Sequence, residues 1–121
     1  MRHLEILKLG DVLNERLKHL EGISLAQTRH IKELNGQDIR DNADAVFLRS
    51  QIRLETSVLE KYHTEISEIK NSLKKIETKI YGVCEMCDDD ISIERLRLKP
   101  HAKYCTSCRT IYEDHKSKEE L

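Results

Sequence analysis

"AVFLRSQIRLETSVLEKYHTEISEIKNSLKKIETKI" (residues 45–80) repeats apolar side chains with the period of a coiled coil. Alternate steps of three and four residues from Ala45 reach eleven positions, of which ten are apolar or aromatic and one is Glu55. A heptad pattern sustained over about five repeats predicts one long helix with a narrow apolar seam. We expect this helix to cover 45–80 and to stop near Gly82.

A second, shorter seam precedes the first and supplies a partner for it. Its positions are Leu13, Leu17, Leu20, Ser24, Gln27, Ile31 and Leu34. Between the two seams, Asn35-Gly36 has turn chemistry, and Asp41 or Asn42 is a candidate N-cap. A short connection makes neighbouring helices antiparallel. The pattern therefore favours a hairpin over residues 13–80, with its tip at 35–44, in a monomer. The alternative is a homodimer of helix 45–80 alone.

The polar positions of the two seams predict a polar layer across the hairpin. In a symmetric hairpin, paired residue numbers add up to about 79, which brings Gln27 to Ile52 and Ser24 to Glu55. Such a layer either specifies the register or is a frayed, hydrated stretch. Residues 1–12 are expected to pack near the base of the hairpin, with Gly10 interrupting their helix.

All four cysteines lie in two C-x-x-C pairs, Cys84/Cys87 and Cys105/Cys108, with seventeen residues between the pairs. This spacing is typical of a zinc site. Four thiolates complete the tetrahedral shell of zinc, so such a site is structural and binds one Zn²⁺. Two disulfides or a redox-active C-x-x-C are the alternatives. They are disfavoured by an intracellular setting and by the lack of a βαβ pattern.

The rest of 81–121 is expected to fold around this site as a small globular part. Ile91/Ile93 and Leu96/Leu98 alternate like two very short strands. Thr106 is expected to cap a C-terminal helix, whose Ile111 and Tyr112 would pack back onto the globular part or the hairpin base. The predicted fold is therefore mainly α: an antiparallel two-helix coiled coil, a four-cysteine zinc finger and a final helix.

The composition excludes several classes of function. Charged residues make up 36% and aromatic residues 4% of the 121 residues, and 21 basic residues nearly balance 22 acidic ones. No basic patch is present, which counts against nucleic acid as the main partner. No apolar run reaches the roughly 20 residues that span a bilayer. Neither a catalytic pairing around the six histidines nor a glycine-rich phosphate loop is found. We expect a soluble cytoplasmic protein that is not an enzyme.

The segment "YGVCEMCDDDISIERLRLKPHAKYCTSC" (81–108) resembles the zinc-finger signature of the DksA/TraR family. The shared features are the Y-G-x-C-E-x-C opening, the I-x-x-x-R-L stretch and the "KP" before the third cysteine. Asp41-Asn42-Ala43-Asp44 is similar to the D-x-x-D at the coiled-coil tip of the DksA branch, and its distance from Cys84 suits the long arm of that branch. The resemblance covers roughly residues 35–118.

This resemblance implies a bacterial transcription regulator that binds RNA polymerase rather than a DNA site. In the family, the coiled coil enters the secondary channel of the polymerase and its acidic tip approaches the active centre. The tip shortens the lifetime of promoter open complexes, jointly with the alarmone ppGpp in the stringent response. Asp41 and Asp44 would be the tip residues. Their alternative role is to cap α-helix 45–80 and interact with its dipole.

Two departures from the family pattern bear on function. Val46 stands where the tip motif has a small alanine. Lys99 and Arg109 match two basic residues of the ppGpp site that the family shares with polymerase, but the basic position of the long helix falls on Glu68. Weaker or altered dependence on ppGpp is therefore expected. Lys61 matches a basic position that faces the channel rim, and its alternative is a solvated lysine.

Two other functions are compatible with the same residues. One is a zinc-ribbon protein that binds nucleic acid, with the hairpin as a spacer, and this would require a basic face. The other is an adaptor whose coiled coil docks on another helical protein. The sequence does not identify the responsive promoters or any effect on transcript cleavage.

Overall fold

A computed structural model of the chain describes the backbone of residues 2–38 and 41–120, with side chains over 3–38 and 41–115. Four helices account for most of it: α1 (Arg2–Asn35), α2 (Asn42–Glu77), α3 (Ile93–Leu98) and α4 (Thr106–Glu120). This confirms the mainly α fold with two long, packed helices. No helix of the described chain has the length and apolarity that a membrane span requires. Ile39 and Arg40 of the predicted tip lie outside the described residues.

The chain forms two compact units. One comprises Arg16–Glu68, and the other combines Met1–Glu15 with Ile69–Leu121. In the first unit, α1 and α2 pack as an antiparallel pair. Arg16 forms an ion pair with Glu65 at 3.0 Å, and Gln27 forms a hydrogen bond with Glu55. The later residue of α1 thus contacts the earlier residue of α2, as antiparallel helices require.

The predicted seams are the buried faces of both helices, except that Ile80, the last predicted position, lies beyond α2 and is 55% exposed. Leu13, Leu20 and Leu34 of α1 are 1%, 2% and 6% exposed. On α2, Ile69 is fully buried and the seam positions from Ala45 to Ile76 are at least partly buried. The heptad period therefore identified the contact surface correctly, because side chains three and four residues apart share one helix face.

The polar layer exists, but its pairing differs from the prediction. Gln27 contacts Glu55 rather than Ile52, donating from Nε2 to the carboxylate and, at 3.3 Å, to the backbone oxygen. Ser24 bonds the Nε2 of His63 at 2.9 Å instead of meeting Glu55. The partner of Gln27 lies three residues from the predicted one, and the partner of Ser24 lies eight residues from it, so the assumption of a symmetric hairpin was wrong.

Helix α1 is continuous through Gly10, contrary to the predicted interruption. Gly10 is buried, and a Cβ built on it would lie 3.5 Å from Cδ1 of Ile76. The glycine therefore lies at a helix contact rather than at a helix end. A methyl group at this position would be at an ordinary van der Waals distance from Ile76, so the contact does not require glycine, which only lowers the helix propensity.

The end of α2 is also different from the prediction. The helix ends at Glu77, and Lys79 rather than Gly82 terminates it with a φ of 63°. The Ile80 N–H donates to Lys75 O at 2.9 Å and the Lys79 N–H to Ile76 O at 3.2 Å. This pair of bonds is a Schellman motif, which uses a left-handed residue just past the helix.

The two short strands predicted in the finger are absent from the described residues. Ile93–Leu98 is helix α3, capped by Ser92, whose side chain accepts from the Arg95 N–H. Leu96 is fully buried while Leu98 is 89% exposed, so the alternation of apolar residues misled the prediction. The capping serine three residues before Arg95 was the more informative signal.

The N-cap of the C-terminal helix lies one residue earlier in the chain than predicted. Thr106 is its first residue, and Cys105 is the cap because its carbonyl accepts from the Arg109 N–H at 2.9 Å. Tyr112 packs on Tyr104 with ring centroids 5.2 Å apart, as expected for a helix folded back on the finger. Ile111 remains 51% exposed, so its predicted packing is wrong.

Candidate metal centre and hairpin end

Four cysteine side chains converge in the unit that contains α3 and α4. The sulfur atoms of Cys84, Cys87, Cys105 and Cys108 all lie within 4.8 Å of one another. Sγ of Cys87 is 3.8 Å from Sγ of Cys105. Four sulfurs held about 2.3 Å from a central zinc at tetrahedral corners would be about 3.8 Å apart. A disulfide would require sulfurs about 2.05 Å apart, so the arrangement fits a metal and not two disulfides.

Tight backbone turns position the first cysteine pair. Gly82 has a φ of 84° and Asp88 a φ of 63°, both in the left-handed region that glycine and aspartate tolerate best. The Cys84 N–H donates to Asp89 O at 2.8 Å, and the Asp88 N–H donates back to Cys84 O at 3.0 Å. The Ile91 N–H closes the loop by donating to Gly82 O at 2.7 Å. These bonds bring both thiols of the pair to one side of the turn.

The start of α4 positions the second pair. Cys105 caps the helix and Cys108 lies in its first turn. A backbone bond of 2.9 Å from the Glu85 N–H to Lys103 O joins the two pairs. The turn at Cys84/Cys87 and the start of α4 therefore supply two sulfurs each, and the C-x-x-C spacing predicted both pairs.

The four thiols have unequal acidity. Burial raises the pKa of Cys84, but backbone N–H donors of Cys105, Cys87 and Met86 lower it by more, to about 6. Hydrogen bonding with the Cys105 thiol, together with burial, raises the pKa of Cys108. Once one of the clustered thiols is ionised, its negative charge opposes ionisation of the neighbouring thiols. A bound dication removes this opposition, which is why such a cluster suits zinc.

The apolar core beside the cysteines is small. Ile91 and Leu96 are 2% and 0% exposed, and Tyr81 is buried with its hydroxyl donating to Pro100 O at 2.8 Å. Arg95 ties the segment further by donating from Nε to Tyr104 O at 2.9 Å. So little apolar area cannot order a segment of this length by itself, and a metal supplies the remaining stabilisation.

Sequence reasoning missed an ion pair that joins α2 to the first cysteine pair. Lys75 Nζ lies 2.6 Å from Glu85 Oε1, and Asn71 Nδ2 is 3.5 Å from the same oxygen. The hydrogen bond from Lys75 lowers the pKa of Glu85. The signal available in the sequence was the glutamate inside the first C-x-x-C, which is not needed as a ligand in a site with four thiolates. Its partner is ten residues away and is visible only in the folded chain.

The hairpin end belongs to the other compact unit. Asp41 caps α2, since its Oδ1 accepts from the Ala43 N–H and its carbonyl from the Ala45 N–H, both at 2.9 Å. Asp44 follows in the first turn and is exposed, and among the described residues no hydrogen bond or ion pair holds its carboxylate. Phe47, which sequence reasoning overlooked, is 72% exposed one helical turn below Asp44.

Comparisons with known proteins agree with this geometry. A family model described as the prokaryotic dksA/traR C4-type zinc finger matches residues 79–114. The RNA polymerase-binding transcription factor DksA of Haemophilus influenzae is 26% identical over 113 residues, covering 93% of this chain and 77% of that protein. Its counterpart in Escherichia coli K12 is 33% identical over 73 residues, 60% of this chain and 48% of that protein, so this second match spans about half the length of the relative.

A solved structure has the same fold. Transcription factor DksA2 from Pseudomonas aeruginosa superimposes with a TM-score of 0.81, covering 94% of this chain and 87% of that one at 20% identity. The chain therefore contains a zinc finger of the dksA/traR type over residues 79–114 and is similar to DksA proteins over most of its length. It has one structural zinc site, as predicted, made from its four clustered cysteines. The relatives are named transcription factors and not enzymes, which agrees with the prediction that the chain is not an enzyme.

The basic residues singled out for a ppGpp site are distributed over both units. Lys99, half-buried at the end of α3, and Arg109 of α4 belong to the zinc-finger unit. Nε of Arg109 donates to Glu113 at 2.8 Å, one turn along the same helix. Lys61 and Glu68 belong to α2 in the hairpin unit, where Lys61 is exposed and Glu68 half-buried. Their assignment to a ppGpp or polymerase contact remains a prediction.

Proposed function

We propose that this protein is a bacterial transcription regulator that binds RNA polymerase. The observation that carries the proposal is the extent of the similarity to the Haemophilus influenzae protein, which covers 93% of this chain. A zinc-ribbon module borrowed by another type of protein would match over the finger alone. The similarity extends over the hairpin helices as well, so the proposal uses both parts of the molecule.

The proposed mode of binding is entry of the hairpin into the secondary channel, with Asp41 and Asp44 approaching the active centre. A two-helix coiled coil suits a narrow channel because it satisfies its own seam and needs no third element. The carboxylate of Asp44 is exposed at the start of α2, where it can meet a basic side chain or a hydrated Mg²⁺. We infer that these contacts shorten the lifetime of promoter open complexes.

The exposed apolar residues beside these carboxylates support contact with a protein. Val46 is 58% and Phe47 72% exposed. Exposed aromatic side chains are frequent anchors in protein interfaces, and they are unfavourable in water without a partner. Val46 replaces the small alanine of the family motif, so we propose that the fit of this tip in polymerase differs in detail from that of other members.

The finer part of the proposal concerns ppGpp in the stringent response. Lys99 and Arg109 are the proposed phosphate contacts in the finger, and Lys61 is a proposed contact with the channel rim. Glu68 would repel phosphate at the long-helix position, and Glu113 already engages Arg109. We therefore propose that ppGpp strengthens the action of this protein less than is typical of the family. We also propose that the protein is cytoplasmic and does not bind DNA sequence-specifically, and that it is a monomer because the hairpin satisfies its own seam.

The deciding experiment measures the lifetime of open complexes at a ribosomal RNA promoter with purified bacterial polymerase. Asp41→Asn and Asp44→Asn remove charge while keeping a side chain that caps helices equally well. We expect the double variant to bind polymerase as the parent does and to lose its effect on lifetime. Asp11→Asn, an exposed residue of α1, is the matched control and should leave the effect intact.

Two outcomes would contradict the proposal at different levels. An unchanged lifetime effect in the double variant would disprove the role of the tip while leaving polymerase binding in place. Failure of the zinc-loaded parent to bind polymerase at all would disprove the function itself. In that case, salt-dependent binding to DNA would favour the zinc-ribbon alternative, and capture of a helical protein would favour the adaptor.

A further inference from the structure

A cavity of about 340 Å³ lies in the zinc-finger unit, and none of its lining residues is a cysteine. It opens between the first turns of α1 and the end of α2. Its lining residues are His3, Ile6, Leu7, Ile76, Lys79 and Tyr81. This volume is at the low end of the range of about 300–1,000 Å³ that small-molecule sites occupy.

The walls of the cavity are apolar. Ile6 and Leu7 come from α1 and Ile76 from α2. Tyr81 contributes its ring only, because its hydroxyl is engaged by Pro100 O at 2.8 Å. A ligand that fills this space must therefore be apolar over most of its surface, since the walls leave its polar atoms no partner.

The charged groups of the cavity have one sign. Lys79 brings an ammonium group, and His3 brings an imidazole. Among the described residues no carboxylate pairs with Lys79. Glu5, an acidic residue of the adjoining turn of α1, is paired with Arg97 at 2.9 Å. Within the described part of the chain, the cavity thus offers a cation beside apolar walls without its own counter-ion.

The backbone conformation of Lys79 also points to a role for this side chain. Its φ of 63° is the left-handed conformation that follows a helix in a Schellman motif. Glycine occupies such positions most readily, and a lysine there is strained. The chain therefore keeps a lysine where stability alone would favour glycine, and that lysine lines the cavity.

We propose that this cavity binds a small carboxylic acid with an unbranched apolar body, of the class of medium-chain fatty acids. The hydrocarbon chain lies against Ile6, Leu7, Ile76 and the ring of Tyr81, and the carboxylate pairs with Lys79. This site is independent of the proposed binding to polymerase. It would allow a metabolite to act on the unit that contains the zinc finger.

The test uses the zinc-loaded full chain and sodium octanoate as the probe, followed by NMR titration of the backbone amides. Saturable shifts are expected at Leu7, Ile76 and Tyr81. Affinity should rise about fourfold for each methylene between hexanoate and octanoate, the factor that burial of one methylene gives. Octan-1-ol and octylammonium should bind about tenfold more weakly, because they lack the charge-assisted bond to Lys79.

Lys79→Gly separates a binding role from a structural one. We expect octanoate to bind this variant about tenfold more weakly, while the Tm of the ligand-free protein rises by about 4 °C as the strain is relieved. Lys70→Gln removes one positive charge from an exposed site on α2 and should leave octanoate affinity unchanged. A purely structural lysine would change stability without changing affinity.

Three results would overturn the proposal. They are equal affinity for octanoate and octan-1-ol, undiminished octanoate binding by Lys79→Gly, and amide shifts that map outside the cavity. Loss of binding with a raised Tm in Lys79→Gly, together with the methylene series, would support it.

Discussion

Substitution of Gly10 by alanine should stabilise the protein, and the structure allows the size of the effect to be worked out. Gly10 lies inside α1, where alanine is about 1 kcal/mol more favourable than glycine. The added methyl would sit 3.5 Å from Cδ1 of Ile76, an ordinary van der Waals distance. Burial of that methyl contributes up to about 0.8 kcal/mol more. The expected gain in unfolding free energy is therefore about 1–1.8 kcal/mol.

Gly22 provides the matched control. It lies in the same helix and is exposed, with nothing within 4 Å of a Cβ built on it. Gly22→Ala should thus gain the helix-propensity part alone, about 1 kcal/mol. Gly10→Leu, in contrast, should destabilise the protein because the larger side chain collides with Ile76.

Urea and thermal unfolding followed by circular dichroism at 222 nm would measure these differences. A gain of about 1 kcal/mol should raise Tm by about 4 °C for a chain of this size. The reasoning would be refuted if Gly10→Ala lowered stability while Gly22→Ala raised it. That result would mean that the backbone at Gly10 approaches its neighbour too closely for any side chain, or that α1 does break there.

Three further predictions concern the zinc-finger unit. Chelation of zinc should abolish hydrogen-exchange protection at Ile91, because the finger core is too small to fold alone. Most of the helical signal at 222 nm should remain, because the hairpin has its own seam. Retained protection at Ile91 would contradict a structural metal. Burial raises the pKa of Tyr81 to about 12, so its contribution to stability should be complete below about pH 10 and lost as pH rises through about 12. Tyr81→Phe, which removes the bond to Pro100 O, should unfold with about 1 kcal/mol less free energy at neutral pH and lack this loss, as urea unfolding at several pH values would show. Lys75→Gln should cost up to about 1 kcal/mol and raise the pKa of Glu85, measured by NMR titration; an unmoved pKa would show that the ion pair is absent in solution.

Several structural elements could be predicted from residue spacing because the interactions that form them are local in the chain. The seam of α2 follows from side chains three and four residues apart, and Asp41 was identified as a candidate cap from its type and position. The zinc ligands follow from two C-x-x-C pairs. In each case the residues that decide the structure are near one another in the chain.

The errors have a shared cause as well. Whether Gly10 ends a helix depends on Ile76, and the pairing of Ser24 depends on His63, in each case a partner far away in the chain. The alternating apolar residues at 91–98 led to the prediction of two short strands. In the structure Leu96 is buried and Leu98 is exposed, a difference that depends on the residues packed around them and not on their spacing.

By itself, the sequence determined that the chain is helical, that two seams face each other and that four thiols bind one metal. These features follow from periodicity and ligand chemistry, which hold in any context. Only the tertiary structure decided the register of the hairpin, the pairing of Lys75 with Glu85 and the strained lysine at a cavity. Those depend on which surfaces meet once the chain has folded, and contacts between distant residues leave no periodic trace in the sequence.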